Sequence, residues 1–116
     1  MAEPKRFQSK RRADAIPFEV ETDEGIRYYF ILKLTCAQAT IWYDFVRERE
    51  KAEKERGYSS LTGFKEFLLS LAVVDQSYKP VTIEHFAESG WTEEVVSSVY
   101  DDVVELNFPP EKKDEN

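Results

Sequence analysis

The spacing of apolar residues divides the chain into an N-terminal part with a period of two and a longer part with a period near 3.6. Alternation over residues 16–21 and again over residues 26–34 predicts two half-buried β-strands. The polar turn Thr22-Asp23-Glu24-Gly25 lies between them and ends in a glycine that accepts a positive φ. We therefore predict an antiparallel hairpin over residues 16–34. The apolar face of its second strand is predicted to consist of Ile26, Tyr28, Phe30, Leu32 and Leu34.

Four helices are predicted after the hairpin, at residues 36–56, 60–74, 82–88 and 92–107. Thr35 and Gln38 form a capping box at the start of the first helix. The second half of that helix is almost wholly charged, so we expect it to project into solvent. The second helix is apolar over more than half of its circumference. Such a helix is contacted from two sides, which predicts a central position in the fold.

Each of the last three helices is preceded by a hydroxyl residue of the kind that caps helix N-termini. The candidate caps are Ser59 or Ser60, Thr82 and Thr92. Apolar pairs in the positions of a hydrophobic staple bracket the third and fourth helices. These pairs are Val81 with Phe86 and Trp91 with Val96, and Pro109-Pro110 stops the fourth helix.

These elements predict an α+β, mainly α, fold in which an N-terminal β-hairpin packs on a small bundle of about four helices. We expect one globular domain over residues 16–108, a basic disordered leader over residues 1–15 and a charged tail over residues 109–116. With 116 residues, of which 41% are hydrophobic, the chain suits a single small domain. Its apolar runs are far shorter than the roughly 20 residues that a membrane span needs, so no membrane span is expected. The N-terminus lacks the pattern of a secretory signal, and a cytoplasmic protein is expected.

The charge of the chain is distributed unevenly. Five cations against two carboxylates give residues 1–15 a charge of +3, which leaves −10 for residues 16–116 within the total of −7. An acidic domain is repelled by phosphate backbones, so nucleic acid is not an expected partner of the domain. The basic leader remains an alternative contact for nucleic acid or for an acidic partner.

The residues suited to catalysis are few. Cys36 and His85 are the only cysteine and histidine, and a thiol near a helix N-terminus and an imidazole has a lowered pKa. Two such residues far apart in sequence form no motif, and His85 is more simply interpreted as an exposed residue of a short helix. The four glycines form no phosphate-binding loop. We predict no enzyme activity, no catalytic residues, no cofactor and no metal site.

Apolar residues outside the main helical stripes favour a protein-binding module over an enzyme. In a domain this small they are expected to leave exposed patches. The candidate partner-binding residues are Tyr43, Leu69, Tyr78 and Phe108.

Three features of residues 61–108 resemble the tail assembly chaperones of long-tailed, siphovirus-type bacteriophages. The apolar helix ends in the step Val73-Val74-Asp75, the loop Lys79-Pro80-Val81-Thr82 introduces a short capped helix, and the last helix closes with Leu106-Asn107. The long charged half of the first helix has no counterpart in that family.

The resemblance implies a non-enzymatic factor of tail morphogenesis. It implies that the protein binds and solubilises the tape-measure protein in the host cell cytoplasm, helps to recruit tail-tube subunits and is absent from the mature virion. The family often makes a longer form by ribosomal frameshifting, for which Lys112-Lys113 is a candidate place. The alternative function is a small phage-encoded regulatory adaptor that binds a host protein or nucleic acid.

Overall fold

The computed structural model describes residues 3–56 and 63–109. Within these ranges, three strands form one antiparallel sheet in the order β1-β2-β3, and four helices accompany it. The elements are β1 (Ile16–Thr22), β2 (Gly25–Ile31), α1 (Cys36–Arg56), α2 (Phe64–Ala72), β3 (Val73–Asp75), α3 (Ile83–Glu88) and α4 (Glu93–Asn107). The predicted α+β, mainly α, fold is confirmed.

A two-residue loop fixes the register of the hairpin. Thr22 pairs with Gly25, which has a φ of 124° that glycine adopts without steric cost. The same register pairs Phe18 with Tyr29 and Val20 with Arg27. Directly paired residues of neighbouring strands lie on the same face of a sheet, so the buried Val20 places Tyr29 on the inner face as well.

The predicted phase of β2 is therefore wrong. Ile26 and Tyr28 are 48% and 54% exposed, whereas Tyr29 and Ile31 are 2% and 1% exposed. Both faces of β2 carry apolar side chains, so alternation alone does not select the inner one. The register with β1 selects it. Leu32 is buried all the same, because β2 ends at Ile31 and the chain leaves the strand geometry there.

The predicted helix over residues 60–74 is shorter at both ends. α2 begins at Phe64 after Gly63, whose φ is 75°, and the candidate caps Ser59 and Ser60 lie outside the described residues. At its other end, Val73–Asp75 forms β3 and pairs with β2. β-branched valines suit an extended backbone, and strand pairing satisfies their backbone hydrogen bonds while both side chains are buried. The backbone N–H of Leu32 also donates to the Ala72 carbonyl at 2.8 Å.

The core is centred on α2, as predicted. Leu68, Leu69 and Ala72 are each 0% exposed. α2 packs against α4, α3 and β3, so it is covered from more than one side. α1 joins the core through a cluster of rings in which Trp42 lies 5.1 Å from Phe64, measured between ring centroids.

The caps of α1 and α4 follow the sequence, and those of α2 and α3 do not. The N-cap of α2 is Gly63 in place of Ser59 or Ser60, and it supplies no side-chain cap. The capping box is present, with the Gln38 N–H donating to Thr35 Oγ1 at 3.2 Å and the Thr35 N–H donating to Gln38 Oε1 at 3.0 Å. Thr92 Oγ1 accepts from the N–H of Val95 at 3.3 Å. Thr82 occupies the N-cap position of α3, but its side chain accepts no capping bond. The four staple residues of α3 and α4 are all buried.

The basic leader contacts the domain through two arginines. Arg11 donates from Nε to the Lys33 carbonyl at 2.6 Å and from Nη2 to Gln38 Oε1 at 3.0 Å. Arg12 lies over the ring of Tyr78, 4.4 Å from its centroid. Residues 3–10 form no helix or strand and are exposed. A leader disordered over residues 1–15 stays a prediction, and residues 110–116 of the expected tail lie outside the described residues.

Candidate partner-binding surface

The structure divides the four predicted partner-binding residues among three environments. Tyr43 is 52% exposed, while Tyr78 and Phe108 are half-buried. Leu69 is 0% exposed, so the expectation that it contributes to an exposed patch is wrong. α2 is surrounded by other elements, and a residue that lies off the main stripe of a central helix still faces protein. Leu69 is a core residue.

Tyr43 and Phe108 lie together where α1 passes the end of α4. Their rings meet edge to face, with centroids 5.8 Å apart. Phe108 is the C-cap of α4, and its backbone N–H donates to the Val104 carbonyl at 2.7 Å. That bond fixes Phe108 against the helix end, where its ring leaves half of Tyr43 exposed. The pair forms a small patch apart from Tyr78.

Asp75 builds the turn that positions Tyr78. Its carboxylate Oδ1 accepts from the N–H of Ser77 at 2.8 Å and from the N–H of Lys79 at 3.1 Å. Its backbone carbonyl accepts from the N–H of Tyr78 at 2.9 Å. Tyr78 has a φ of 63°, in the left-handed region that is unfavourable for a bulky residue. Such a conformation persists only where the surrounding structure holds it, as the hydrogen bonds to Asp75 do here.

The turn built by Asp75 places Tyr78 on the outer face of the sheet. Its ring stacks on Phe30 with centroids 4.9 Å apart and an interplanar angle of 2°. The Tyr78 ring also contacts Arg12 of the leader, whose guanidinium carbon lies 4.4 Å from the ring centroid. At the opposite end of β2, the same face carries the exposed side chains of Ile26 and Tyr28. We call Ile26, Tyr28, Phe30 and Tyr78 the outer sheet face.

The outer sheet face is open at one end because β3 is short. Pairing of β2 with β3 covers only Tyr29 to Ile31, so residues 25–28 of β2 lack a described strand partner on that side. A cavity of about 440 Å³ lies there. Its lining combines side chains of both sheet faces with the Asp75 turn: Ile26, Arg27, Tyr28, Tyr29, Asp75, Gln76, Ser77 and His85. The exposure of Ile26 and Tyr28 is not apparent from the sequence, because alternation along β2 assigns both residues to the core.

His85 is held in a polar cluster beneath this cavity. The Tyr29 hydroxyl and His85 Nε2 are 2.8 Å apart, and Ser89 Oγ lies 3.2 Å from His85 Nε2. Arg27 Nη1 in turn donates to Ser89 Oγ at 3.3 Å. The expectation that His85 is an exposed helix residue is wrong, because the short α3 packs its ring against Tyr29.

Burial, and secondly the nearby Arg27 guanidinium, lower the pKa of His85 from its usual 6.5, while Glu88 and Asp75 act in the opposite direction. The imidazole is therefore neutral near pH 7, where it both donates and accepts hydrogen bonds. Its contacts with two hydroxyl groups match that state. The cluster is suited to joining α3 to β2.

Cys36 lies elsewhere. It is the first residue of α1, it is exposed, and it lines a cavity of about 270 Å³ beside leader residues 8–11 and 14. The hydrogen bonds of His85 go to Tyr29 and Ser89, and none of these three residues lines that cavity. The structure does not bring the thiol and the imidazole together.

Within the described ranges, no three histidine, cysteine, aspartate or glutamate side chains are grouped to hold a metal ion. In the same part of the chain, no helix is long and apolar enough to cross a membrane.

Comparison of the chain with protein families, curated proteins and solved structures found no match.

Proposed function

We propose that this protein is a non-enzymatic tail assembly chaperone of a long-tailed bacteriophage that binds and solubilises the tape-measure protein. The observation that carries the proposal is the outer sheet face, which leaves Ile26 and Tyr28 about half exposed beside a cavity. Apolar side chains grouped on a surface mark sites that bind other proteins. A long helical partner with an apolar stripe is the kind of chain that such a surface covers.

Several residues on which the resemblance depends connect one secondary-structure element to another, and this supports the proposal. Val73 and Val74 form most of β3, and Asp75 holds the turn that positions Tyr78. Asn107 accepts a hydrogen bond from the chain that leaves β2. These members of the motif therefore have structural roles, whereas Lys79, Pro80 and Thr82 are exposed.

The proposal extends to the other roles that the resemblance implies. The protein helps to recruit tail-tube subunits, acts in the host cell cytoplasm and is absent from the finished virion. A longer, frameshifted form is part of the same proposal. Its candidate place, Lys112-Lys113, lies outside the described residues.

The test is co-expression with the tape-measure protein of the same phage. The wild-type chain is expected to keep the tape measure soluble and to co-purify with it. The double variant Ile26→Glu, Tyr28→Glu is expected to fold and to lose the complex, because two carboxylates on the outer sheet face oppose apolar contact. The matched control is Ile41→Glu, Ile83→Glu, which charges two residues that are 48% and 40% exposed on α1 and α3.

Two results contradict parts of the proposal separately. A tape measure that is equally soluble alone and never co-purifies contradicts the chaperone function. If the outer-face variant still binds the tape measure and the control variant does not, the contact surface lies on the helices and not on the outer sheet face. Circular dichroism of each variant verifies that the fold is intact.

A further inference from the structure

A groove with acidic walls runs between the free edge of β1 and α4. Its volume is about 350 Å³. The floor is apolar and the lining contains four carboxylates and no cation. The lining residues are Phe18, Glu19, Val20, Glu21, Glu94, Val95, Ser98, Val99 and Asp102. We propose that this groove binds the basic leader of a second copy of the chain, as an added β-strand.

The edge of β1 is able to accept a strand. β1 is the outermost strand in the order β1-β2-β3, so among the described residues only its inner edge is paired. In a hairpin with a two-residue loop, the residues flanking the loop exchange hydrogen bonds, and bonded pairs then alternate with unbonded ones. Counting from Thr22 and Gly25, Glu19 and Glu21 direct their backbone groups to the free edge. Pro17 falls in the same set, which suits a residue without an N–H to donate.

The leader has the matching chemistry. Residues 3–10 are exposed and form no helix or strand. The Lys10 carbonyl accepts the Asp14 N–H at 3.1 Å, so residues 3–9 are the ones whose backbone is offered for pairing. Residues 3–10 carry Lys5, Arg6 and Lys10 against Glu3. Phe7 is 81% exposed, the highest value among the exposed large apolar side chains of the described residues. An extended segment with three cations and one aromatic ring suits a groove with acidic walls and an apolar floor.

In the added strand, side chains alternate between the two faces of the sheet, so the aromatic ring and the neighbouring cation of the leader meet different parts of the groove. In a strand, Phe7 points to one face and its neighbour Arg6 to the other. Phe7 on the inner face meets the half-buried Val95 of α4, and Arg6 on the outer face meets the carboxylates of Glu19 and Glu21.

The leader of the same molecule is directed away from this groove. Arg11 is bound at Lys33 and Gln38, and Arg12 lies over Tyr78, beyond β2 from the edge of β1. A second molecule has no such restriction, and two copies exchanging leaders form a closed dimer. The closed dimer contains two added strands of about eight residues each, which places it near the low end of interface sizes, at roughly 1,200 Å², and we expect a dissociation constant on the order of micromolar.

The experiment measures self-association of the full chain by analytical ultracentrifugation at low and high salt. We expect a monomer–dimer equilibrium that weakens at high salt, because the contact depends on exposed opposite charges. Two charge-reversed variants are then compared. Lys5→Glu, Arg6→Glu changes the leader, and Glu19→Lys, Asp102→Lys changes one residue on each wall of the groove. Each variant alone is expected to dimerise at least about tenfold more weakly.

Mixing the two variants gives the decisive result. In the mixed dimer, the wild-type leader of the groove variant faces the unchanged acidic groove of the leader variant. The reversed leader faces a groove in which lysines have replaced two of the four carboxylates, so heterodimers are expected to form where neither variant dimerises alone. The control Glu48→Lys, Glu55→Lys makes the same change of charge on exposed positions of α1 and is expected to dimerise like the wild type. A chain that is monomeric up to about 1 mM overturns the proposal. So does dimerisation that the leader variant leaves unchanged, or a monomer whose Glu19 and Val95 amide signals shift on leader mutation, since the leader then occupies its own groove.

Discussion

The side-chain carbonyl of Asn107 accepts a hydrogen bond from the backbone N–H of Leu34 at 2.7 Å. Asn107 is the last residue of α4, and Leu34 lies in the segment that leads from β2 to α1. The Asn107 amide also donates to the Val103 carbonyl at 3.1 Å, which fixes the orientation of the side chain. One residue therefore ends α4 and fastens it to the N-terminal half of the protein.

Replacement of Asn107 by alanine is expected to lower the free energy of unfolding by about 1–3 kcal/mol, because the part-buried N–H of Leu34 loses its acceptor. Urea denaturation measures the change. The exposed neighbour Glu105 is the control, and Glu105→Ala is expected to change stability by less than about 0.5 kcal/mol. Equal effects of the two substitutions would show that the Asn107 bond has no structural importance.

Neighbouring tyrosines on β2 test the corrected phase of that strand. Tyr29→Ala removes a ring that is 2% exposed and is expected to cost about 3–5 kcal/mol, as for other buried aromatic residues. Tyr28→Ala changes a side chain that is 54% exposed and is expected to cost less than about 1 kcal/mol. Chemical denaturation of both variants measures the difference. A larger loss of stability for Tyr28→Ala than for Tyr29→Ala would support the phase of β2 that alternation alone predicts.

Two leucines test the central position of α2. Leu68→Ala and Leu69→Ala each leave a cavity at a site that is 0% exposed, and each is expected to cost about 2–5 kcal/mol. Leu71, which is half-buried, is the matched control, and its alanine variant is expected to lose less. A loss below about 1 kcal/mol at Leu68 would show that α2 is not central.

His85 gives the stability of the protein a dependence on pH. Its pKa in the folded state lies below the usual 6.5, so the unfolded chain binds a proton first as the pH falls. Stability from this group is complete above about pH 6.5 and is lost as the pH falls through the folded pKa. Urea denaturation at pH 7.5, 6.5 and 5.5 is expected to show a loss that His85→Gln reduces. An identical pH dependence in wild type and variant would contradict this role.

The free thiol is expected to have no function. Cys36 is exposed, and the hydrogen bonds of His85 go to Tyr29 and Ser89, so Cys36→Ser is expected to leave the solubilisation of the tape measure unchanged. Co-expression followed by pull-down measures this. Loss of the complex with an unaltered circular dichroism spectrum would show that the Cys36 thiol has a function.

Local sequence determined most elements of this protein, because their signals depend on neighbours in the chain. The capping box of Thr35 and Gln38 set the start of α1, and the Thr92 cap set the start of α4. A hairpin needs only an alternating pattern and a turn, so the sequence also predicted the pairing of β1 with β2 and the turn that ends at Gly25.

Tertiary structure decided the features that depend on distant residues. β2 is apolar on both faces, and only pairing with β1 assigns Tyr29 to the core and Tyr28 to the surface. Val73 and Val74 leave the helix because β2 offers them backbone partners. Leu69 is buried because other elements surround α2, and His85 is partly buried because α3 lies against Tyr29. Each of these outcomes depends on contacts between residues far apart in the chain, which periodicity along one segment does not contain.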